Sequence, residues 1–323
     1  MSPMKPPRDP ESVVTEQAAM LGNRVSKNHK RLAPYFARRH VDAYRLYDWD
    51  IPEIRAVCDF FAGHLVVAEY VRTQTELLPD WLPRMGEACA KAAGVAPERV
   101  HLRRRRTRPD EGERYERLGA AGQRLEVHEG DLRYLVNLDD YLDTGLFTDH
   151  RETRARIRAE ADDADFLNLY AYTGSFTCAA AVGGAGTTTT VDASTPYLDW
   201  ARENLALNTA LGPEHRFVRD DVSRFLERAR REGQRYTLAV CDPPSFSAGH
   251  DKVELDVQRD HPKLIADVLE LLEPGGILYF STSHQRFEPA LEGLAYQELR
   301  EITTESPPLD YRHAAHRAWR FVR

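Results

Sequence analysis

"DFLNLYAYTGSFTCAAA", residues 165–181, decides the fold. An apolar run too short for a free-standing helix turns at Gly174 and continues as small apolar residues suited to a helix. Four more apolar runs follow at helical intervals: "TTTTVDAS" (187–194), "HRFVRDD" (215–221), "YTLAVCDPP" (236–244) and "GGILYFSTS" (275–283). Helices fill the gaps, for instance "STPYLDWARENLALN" (194–208), with Ser194 or Thr195 as N-cap. Strands that are apolar on both faces imply a parallel sheet covered on both sides. The tail, "AYQELREITTES" and then "HRAWRFVR", adds an antiparallel pair at the far side of that sheet. Residues 139–323 therefore read as a doubly wound, Rossmann-like α/β domain, whose ligands bind beyond the carboxyl ends of the strands near the topological switch point.

The chain upstream reads differently. Residues 1–12 are proline-rich and predicted to be disordered, and a basic helix is expected from about Glu11 to Arg39. "AYRLYDWDIPEIRAVCDFFAGHLVVAEYV" (43–71) carries two or three short strands broken by Pro52 and Gly63. "WLPRMGEACAKAAGV" (81–95) is an amphipathic helix closed by Gly94, and "RVHLRRRR", "QRLEVHEG" and "LRYLVNL" supply further strands. The expected layout is an N-terminal tail and basic helix (1–40), a small α+β domain (41–138) and the large α/β domain (139–323).

The chain has 323 residues, a formal net charge of −7 and four scattered cysteines (Cys58, Cys89, Cys178, Cys241). No cysteine pair has metal-ligand or redox spacing, so reduced thiols and a cytoplasmic location are expected, with no metal site. No apolar run has the length of a membrane span, and "MSPMKPPRDPESVV" has no hydrophobic signal core. The acidic balance argues against a protein that coats nucleic acid indiscriminately. Two basic runs, "RVSKNHKRLAPYFARRH" (24–40) and "RVHLRRRRTR" (99–108), nevertheless concentrate positive charge in the N-terminal half. Each alone suits a solvated face. Together, with Tyr35 and Phe36 inside the first, they suggest a phosphate-binding surface carried by Arg24, Lys27, Lys30, Arg31, Arg103, Arg104, Arg105 and Arg106.

A dinucleotide site would need G-x-G-x-x-G after the first strand of the large domain, to set a pyrophosphate on the helix N-terminus. Here Gly174 stands alone, with Tyr172 and Phe176 beside it, so a smaller ligand lacking phosphate fits better. Asp192 ends the second strand, placed for ribose hydroxyls, and Asp220-Asp221 end the third, placed for an adenine amino group. A lone-glycine turn followed by these acids describes a site for S-adenosylmethionine. "DYLDTGLFTDHRETR" (139–153) precedes the first strand. It is either a capped linker or a motif over the methionine part, with Asp149 near the ammonium and Arg151 near the carboxylate or a neighbouring acid. The expected cofactor contacts are Thr144, Asp149, Arg151, Asn168, Tyr172, Thr173, Gly174, Ser175, Asp192, Ala193, Ser194, Asp220, Asp221 and Asp242.

The fourth strand ends in "CDPPSFS" (241–247). Proline fixes φ and donates no backbone hydrogen bond, so a Pro-Pro step is at least a strand terminator. At this sheet position it is also a rigid ledge for a flat substrate. Asp242 accepts from the edge of a planar base, Pro243 and Pro244 hold the backbone, and Phe246 stacks, at about 1–3 kcal/mol per base. These four are the expected catalytic residues, acting on a base flipped out of its stack. The following polar segment, through "DVQRDH", reads as a possible lid, with Gln258 and Arg259 as RNA contacts.

"LGNRVSKNH", "AYRLYD", "YLDTGLFTDHR", "NLYAYTGS", "TTTTVDAS", "YLDWARENLALN" and "DPPSFS" followed by "DVQRDH" closely resemble the RlmK-type 23S rRNA (guanine-N7)-methyltransferases, the C-terminal half of the bacterial fused RlmKL enzymes. The resemblance runs from about residue 16 onward. It implies a class I S-adenosylmethionine-dependent fold with a seven-stranded, mostly parallel sheet, preceded by a small RNA-binding domain. It further implies 23S rRNA or a large-subunit assembly intermediate as substrate, and 7-methylguanosine as product. The fused enzymes carry an upstream N2-guanine methyltransferase that this chain lacks, so a standalone version or an excised piece is expected, with a separate upstream enzyme as possible partner. "STSHQRF" (281–287) departs from the family pattern, which leaves Ser283, His284 and Arg286 without assigned roles. Three rivals stay open: cytosine C5 methylation through Cys241, methylation of an exocyclic guanine amine, and a catalytically silent rRNA-binding factor.

Overall fold

A computed structural model describes residues 9–76, 78, 80–105, 119–120, 122–209, 211–247 and 254–323. The chain divides into two compact units: Met1–Asp131 with Val136–Thr144, and Leu132–Leu135 with Gly145–Arg323.

In the first unit, helix α1 (Pro10–Ala37) starts where Asp9 accepts from the Ser12 N–H and Pro10 presets the first turn. Structure thus begins within the stretch expected to be disordered; residues 1–8 lie outside the described residues. Val14, Leu21, Val25, Leu32 and Phe36 recur at seven- and four-residue steps and form its buried stripe. Strands β1 (Ala43–Asp48), β2 (Ala56–Phe61), β3 (His64–Tyr70) and β4 (Val100–Arg105) form a sheet in that order, antiparallel except for the β3–β4 pair. The short α2 (Thr73–Glu76) and then α3 (Trp81–Ala93) connect β3 to β4, as a parallel pair requires. The left-handed Gly94 closes α3, and Trp81 Nε1 donates to Gln17 of α1 at 2.6 Å. The basic helix is therefore part of this unit's core, not a separate arm. Strands β5 (Leu125–Glu129) and β6 (Leu132–Val136) follow, and the unit boundary passes through β6.

The second unit is the doubly wound domain that the apolar runs predict. Its strands are β7 (Asp165–Leu169), β8 (Thr187–Asp192), β9 (His215–Arg219), β10 (Tyr236–Cys241), β13 (Leu272–Thr282), β14 (Glu298–Glu301) and β15 (Arg317–Val322), with a small antiparallel pair, β11 (Phe246–Ser247) and β12 (Leu255–Asp256), between β10 and β13 in sequence. The order across the sheet is β14-β15-β13-β10-β7-β8-β9. The five strands from β13 to β9 are parallel, and β15 and β14 pair antiparallel at the far side. Helices α4 (Arg151–Ala159), α5 (Ser175–Val182), α6 (Thr195–Asn208), α7 (Val222–Arg231) and α8 (Val257–Leu271) complete the unit. One apolar cluster joins α7 and α8 to the sheet, and another joins α4 and α5 to it. The chain leaves β7 toward β8 and later returns to place β10 on the other side of β7, so the order reverses between β7 and β10. The crevice beyond their carboxyl ends is where such sheets hold ligands. Among the described residues, no helix is long and apolar enough to cross a membrane.

Candidate active site

The loop after β7 carries three left-handed residues in five: Tyr170 (φ 56°), Tyr172 (φ 51°) and Gly174 (φ 74°). For the two tyrosines this conformation costs about 1–3 kcal/mol each, a strain that persists where the surroundings dictate it. Asp192 at the end of β8 accepts from the Tyr172 N–H (2.9 Å) and the Ser194 N–H (2.8 Å). Thr173 donates to the Gly145 carbonyl at 2.5 Å, and Asn204 of α6 donates to the Thr173 carbonyl at 2.8 Å. Gly174 has no room for more: a Cβ there would stand 2.7 Å from the Ala201 Cβ. Ser175 opens α5, while Ser194 caps α6 and Ala193 lies half-buried before it. Phe147, Tyr172 and Tyr197 form an aromatic wall beside this loop, with ring centroids 5.4 and 4.6 Å apart.

Four of the expected contacts have partners of their own within the fold. Asn168 is buried and donates to Thr177 at 3.0 Å, inside a polar chain that continues to Thr190, so it serves the sheet interior. Asp221 is the N-cap of α7, accepting from Ser223 and Arg224, and Asp220 pairs with Arg228. Strand-end acids are equally the residues that start the next helix. Thr144 belongs to the first unit, where its carbonyl accepts from Asn137.

The loop after β10 holds Asp242, Pro243, Pro244 and Phe246. Ser281 of β13 donates to Asp242 Oδ1 at 2.6 Å, and His150 Nε2 lies 3.4 Å from Asp242 Oδ2. Pro243 is buried, Pro244 is half-buried, and Phe246 is 56% exposed, its ring centroid 5.8 Å from that of His284 with the planes 62° apart. An oriented carboxylate and an open aromatic face thus share one rigid turn. The residue before them, Cys241, is fully buried in the apolar core. Burial, and then the Asp242 charge, push its thiol well above the ordinary range.

Beside Asp242 sits a cluster the sequence did not announce. His150 stacks on His316 with centroids 3.8 Å apart and planes 12° from parallel, and His316 Nδ1 lies 2.8 Å from Asp149 Oδ2. Arg151 forms a buried ion pair with Asp310 at 2.8 Å, a residue 159 positions away, and Thr148 bonds Tyr311. β15 explains the convergence: it runs antiparallel to β13, with Arg317 opposite Thr282, so His316 arrives at the edge that bears Ser281. No local pattern in "HAAHRAW" signals this. Asp149, His150 and His316 are also close enough to share a cation. The parallel stack argues against it, since an ion within bonding distance of both rings would lie well out of at least one ring plane, away from its lone pair.

Burial, then the nearby His316, lower the His150 pKa from 6.5 to about 4, against the opposite pull of Asp242 and Asp149. Burial also opposes charge on His316, but its hydrogen bond to Asp149 wins and the net shift is upward. Between pH 6.5 and about 4 the unfolded state therefore binds the extra proton at position 150, and stability falls with pH across that window. At about 1.4 kcal/mol per pKa unit this amounts to about 3 kcal/mol. His316 has the opposite sign: its contribution is complete below pH 6.5 and is lost as pH rises through its raised pKa. Urea titrations at pH 7, 5.5 and 4.5 are expected to show the acid loss, and His150→Gln should flatten it. An unchanged slope in that variant counts against the assignment.

The expected RNA contacts divide sharply. Lys27, Lys30 and Arg31 are exposed along α1, and Arg104 is exposed on β4 with its Nε 3.5 Å from Glu69. Arg24 pairs with Asp50, and Arg105 with Asp143 at 2.9 Å. Arg103 is buried, its guanidinium bonded to the Leu138 carbonyl, so it is a structural residue: alternate strand positions face inward. Arg106 lies outside the described residues. In α8, Gln258 exchanges two hydrogen bonds with the Glu288 main chain and Arg259 chelates Asp260. Residues 248–253 of the expected lid are likewise outside the described residues.

Residues 44–316 match the family model described as S-adenosylmethionine-dependent methyltransferase. The chain is 42% identical over 304 residues to ribosomal RNA large subunit methyltransferase K of Neisseria meningitidis serogroup B, covering 92% of this chain and 85% of the relative. It is 41% identical over 320 residues to the K/L protein of Syntrophotalea carbinolica, covering 97% of this chain but 44% of that protein. The fold matches the SMU.776 methyltransferase, solved in complex with SAH, with a TM-score of 0.75 at 22% identity over 100% of this chain and 84% of the other.

Proposed function

Because the chain belongs to the S-adenosylmethionine-dependent methyltransferases and is similar to the large-subunit rRNA methyltransferases K, we propose that it methylates N7 of a guanine in 23S rRNA, free or in a large-subunit assembly intermediate. The observation that carries this reading is the Asp242-to-Phe246 turn: a carboxylate held by Ser281, two prolines and an exposed ring, at the end of the strand beside the switch point.

Bound S-adenosylmethionine supplies an electrophilic methyl carbon on a sulfonium. The residues present suit that group. The strained single-glycine turn from Tyr170 to Gly174 and the wall of Phe147, Tyr172 and Tyr197 bring aromatic rings suited to a cation beside the switch point. Asp192 stands at the end of β8 for ribose hydroxyls, and Asp149 lies on the segment assigned to the methionine part.

Guanine N7 has its own lone pair, so no residue needs to remove a proton before attack. The protein's task is alignment, and well-oriented reactants gain up to about 7–11 kcal/mol of the barrier. Phe246 receives the face of the flipped base, the Pro243 carbonyl and Asp242 meet its edge, and their negative potential favours charge arriving on the base. Cytosine C5 chemistry would instead need a reachable thiolate. Cys241 is buried and held protonated, which disfavours that rival. In the first unit, the exposed Lys27, Lys30, Arg31 and Arg104 are assigned to phosphate contacts. A separate upstream N2-guanine methyltransferase is the partner that the family resemblance implies.

The test is incubation with labelled S-adenosylmethionine and unmodified 23S rRNA, followed by nucleoside mass spectrometry. The expected product is 7-methylguanosine, formed by Cys241→Ala within about threefold of the wild-type rate. A 5-methylcytidine product that disappears in Cys241→Ala would overturn the reading, and so would N2-methylguanosine.

A further inference from the structure

We infer that His150 is a positioning residue for the reaction: a neutral imidazole, protonated on Nε2, that holds the Asp242 carboxylate in register with the incoming base. The inference rests on the methyl-transfer reading above and assigns that site a component outside its ledge.

The geometry is a chain of four buried or half-buried groups, Asp149–His316–His150–Asp242. Asp242 Oδ1 is already fixed by Ser281 at 2.6 Å, and His150 Nε2, 3.4 Å from Oδ2, is placed to restrain the second oxygen. One hydrogen bond and one close polar contact restrict a carboxylate that must meet a flat substrate at a fixed angle. The His150 ring is itself confined, stacked on His316 and packed near-perpendicular to Phe176 with centroids 5.3 Å apart. His316 is anchored in turn by Asp149.

The same contacts decide where the protons sit. His316 Nδ1 faces Asp149 and therefore carries a proton. His150 Nδ1 is buried with no hydrogen-bond partner, so a proton there would be an unsatisfied donor. Nε2 instead lies among acceptors, 3.4 Å from Asp242 Oδ2 and 3.9 Å from Asp149 Oδ2, where a proton is electrostatically favoured. The charged and titratable groups facing His150 are His316, Asp242, Asp149 and Arg154, and burial together with the adjacent His316 disfavours a second positive charge. The arrangement orients the ring through the hydrogen bond its neighbour makes.

The experiment combines nitrogen-15 NMR of the histidines, recorded on the protein with SAH bound, with kinetics of His150→Ala and His150→Gln. At pH 7 the His150 signal is expected to be that of the neutral Nε2–H tautomer. His150→Ala should lower kcat for rRNA methylation about 10- to 100-fold, with the Kd for SAH, measured by calorimetry, within about twofold. His150→Gln places an amide N–H near the same oxygen and should recover activity to within about fivefold of wild type. A doubly protonated or Nδ1–H His150, an unaffected Ala variant, or a Gln variant as slow as Ala overturns the inference. Wild-type protein that methylates no rRNA at all overturns the methyl-transfer reading instead, and the NMR tautomer still decides the placement of the proton.

Discussion

Asp242→Ala is expected to lower rRNA methylation at least about 100-fold, the scale of removing one preorganised electrostatic group from a reacting centre. The side chain is 24% exposed, and its recorded partners are the Ser281 hydroxyl and His150, so truncation creates no apolar cavity. The loss should therefore appear in the rate, with the circular-dichroism melting curve nearly unchanged. Asp242→Asn separates two roles. Its amide oxygen still accepts from Ser281, but the charge is gone. If charge near the base matters, Asn is nearly as slow as Ala; if only the hydrogen bond matters, Asn recovers most of the rate. Single-turnover methylation of 23S rRNA with nucleoside detection measures both. A wild-type rate in Asp242→Ala would remove the ledge from the mechanism altogether.

The second large effect is on stability. Arg151→Ala is expected to destabilise the second unit by about 3–5 kcal/mol, because it removes the Arg151 cation from beside the buried Asp310 carboxylate. The Asp310 side chain is 0% exposed and that of Arg151 only 8%. For a unit of this size such a loss lowers Tm by about 10 °C or more. The double variant Arg151→Met with Asp310→Leu removes both charges and should lose much less than Arg151→Ala alone, since the stranded charge is the main penalty. Urea denaturation of the three proteins gives the comparison. Arg151→Ala as stable as wild type would mean that Asp310 finds another partner or sheds its charge without strain.

These residues also mark how far a reading of the sequence reaches. Alternating apolar runs and helical intervals predict the parallel sheet, and the boundaries hold closely: the helix expected over 194–208 is Thr195–Asn208 with Ser194 as cap, and Gly94 closes α3. The loop from Tyr172 to Ser175 and the Asp-Pro-Pro turn were visible because their residue types are locally constrained, by a left-handed glycine and by prolines. Arg103 was misjudged because a basic run says nothing about which positions of a strand face inward. Asn168 and Asp221 carry a second role that the sequence does not separate from ligand contact: an amide in a strand or an acid before a helix also satisfies the core or the backbone.

What the sequence alone determined is everything set by contacts a few residues apart: strand and helix periods, caps, the glycine turn and the rigid Pro-Pro step. What only the tertiary structure decided is the environment of the Asp242 carboxylate. Ser281 lies 39 positions from Asp242, His316 lies 167 from Asp149, and Asp310 lies 159 from Arg151. Those pairs meet because β13 lies beside β10 and β15 folds back antiparallel against β13. Strand order is chosen by the burial of both sheet faces together, and no local propensity encodes it.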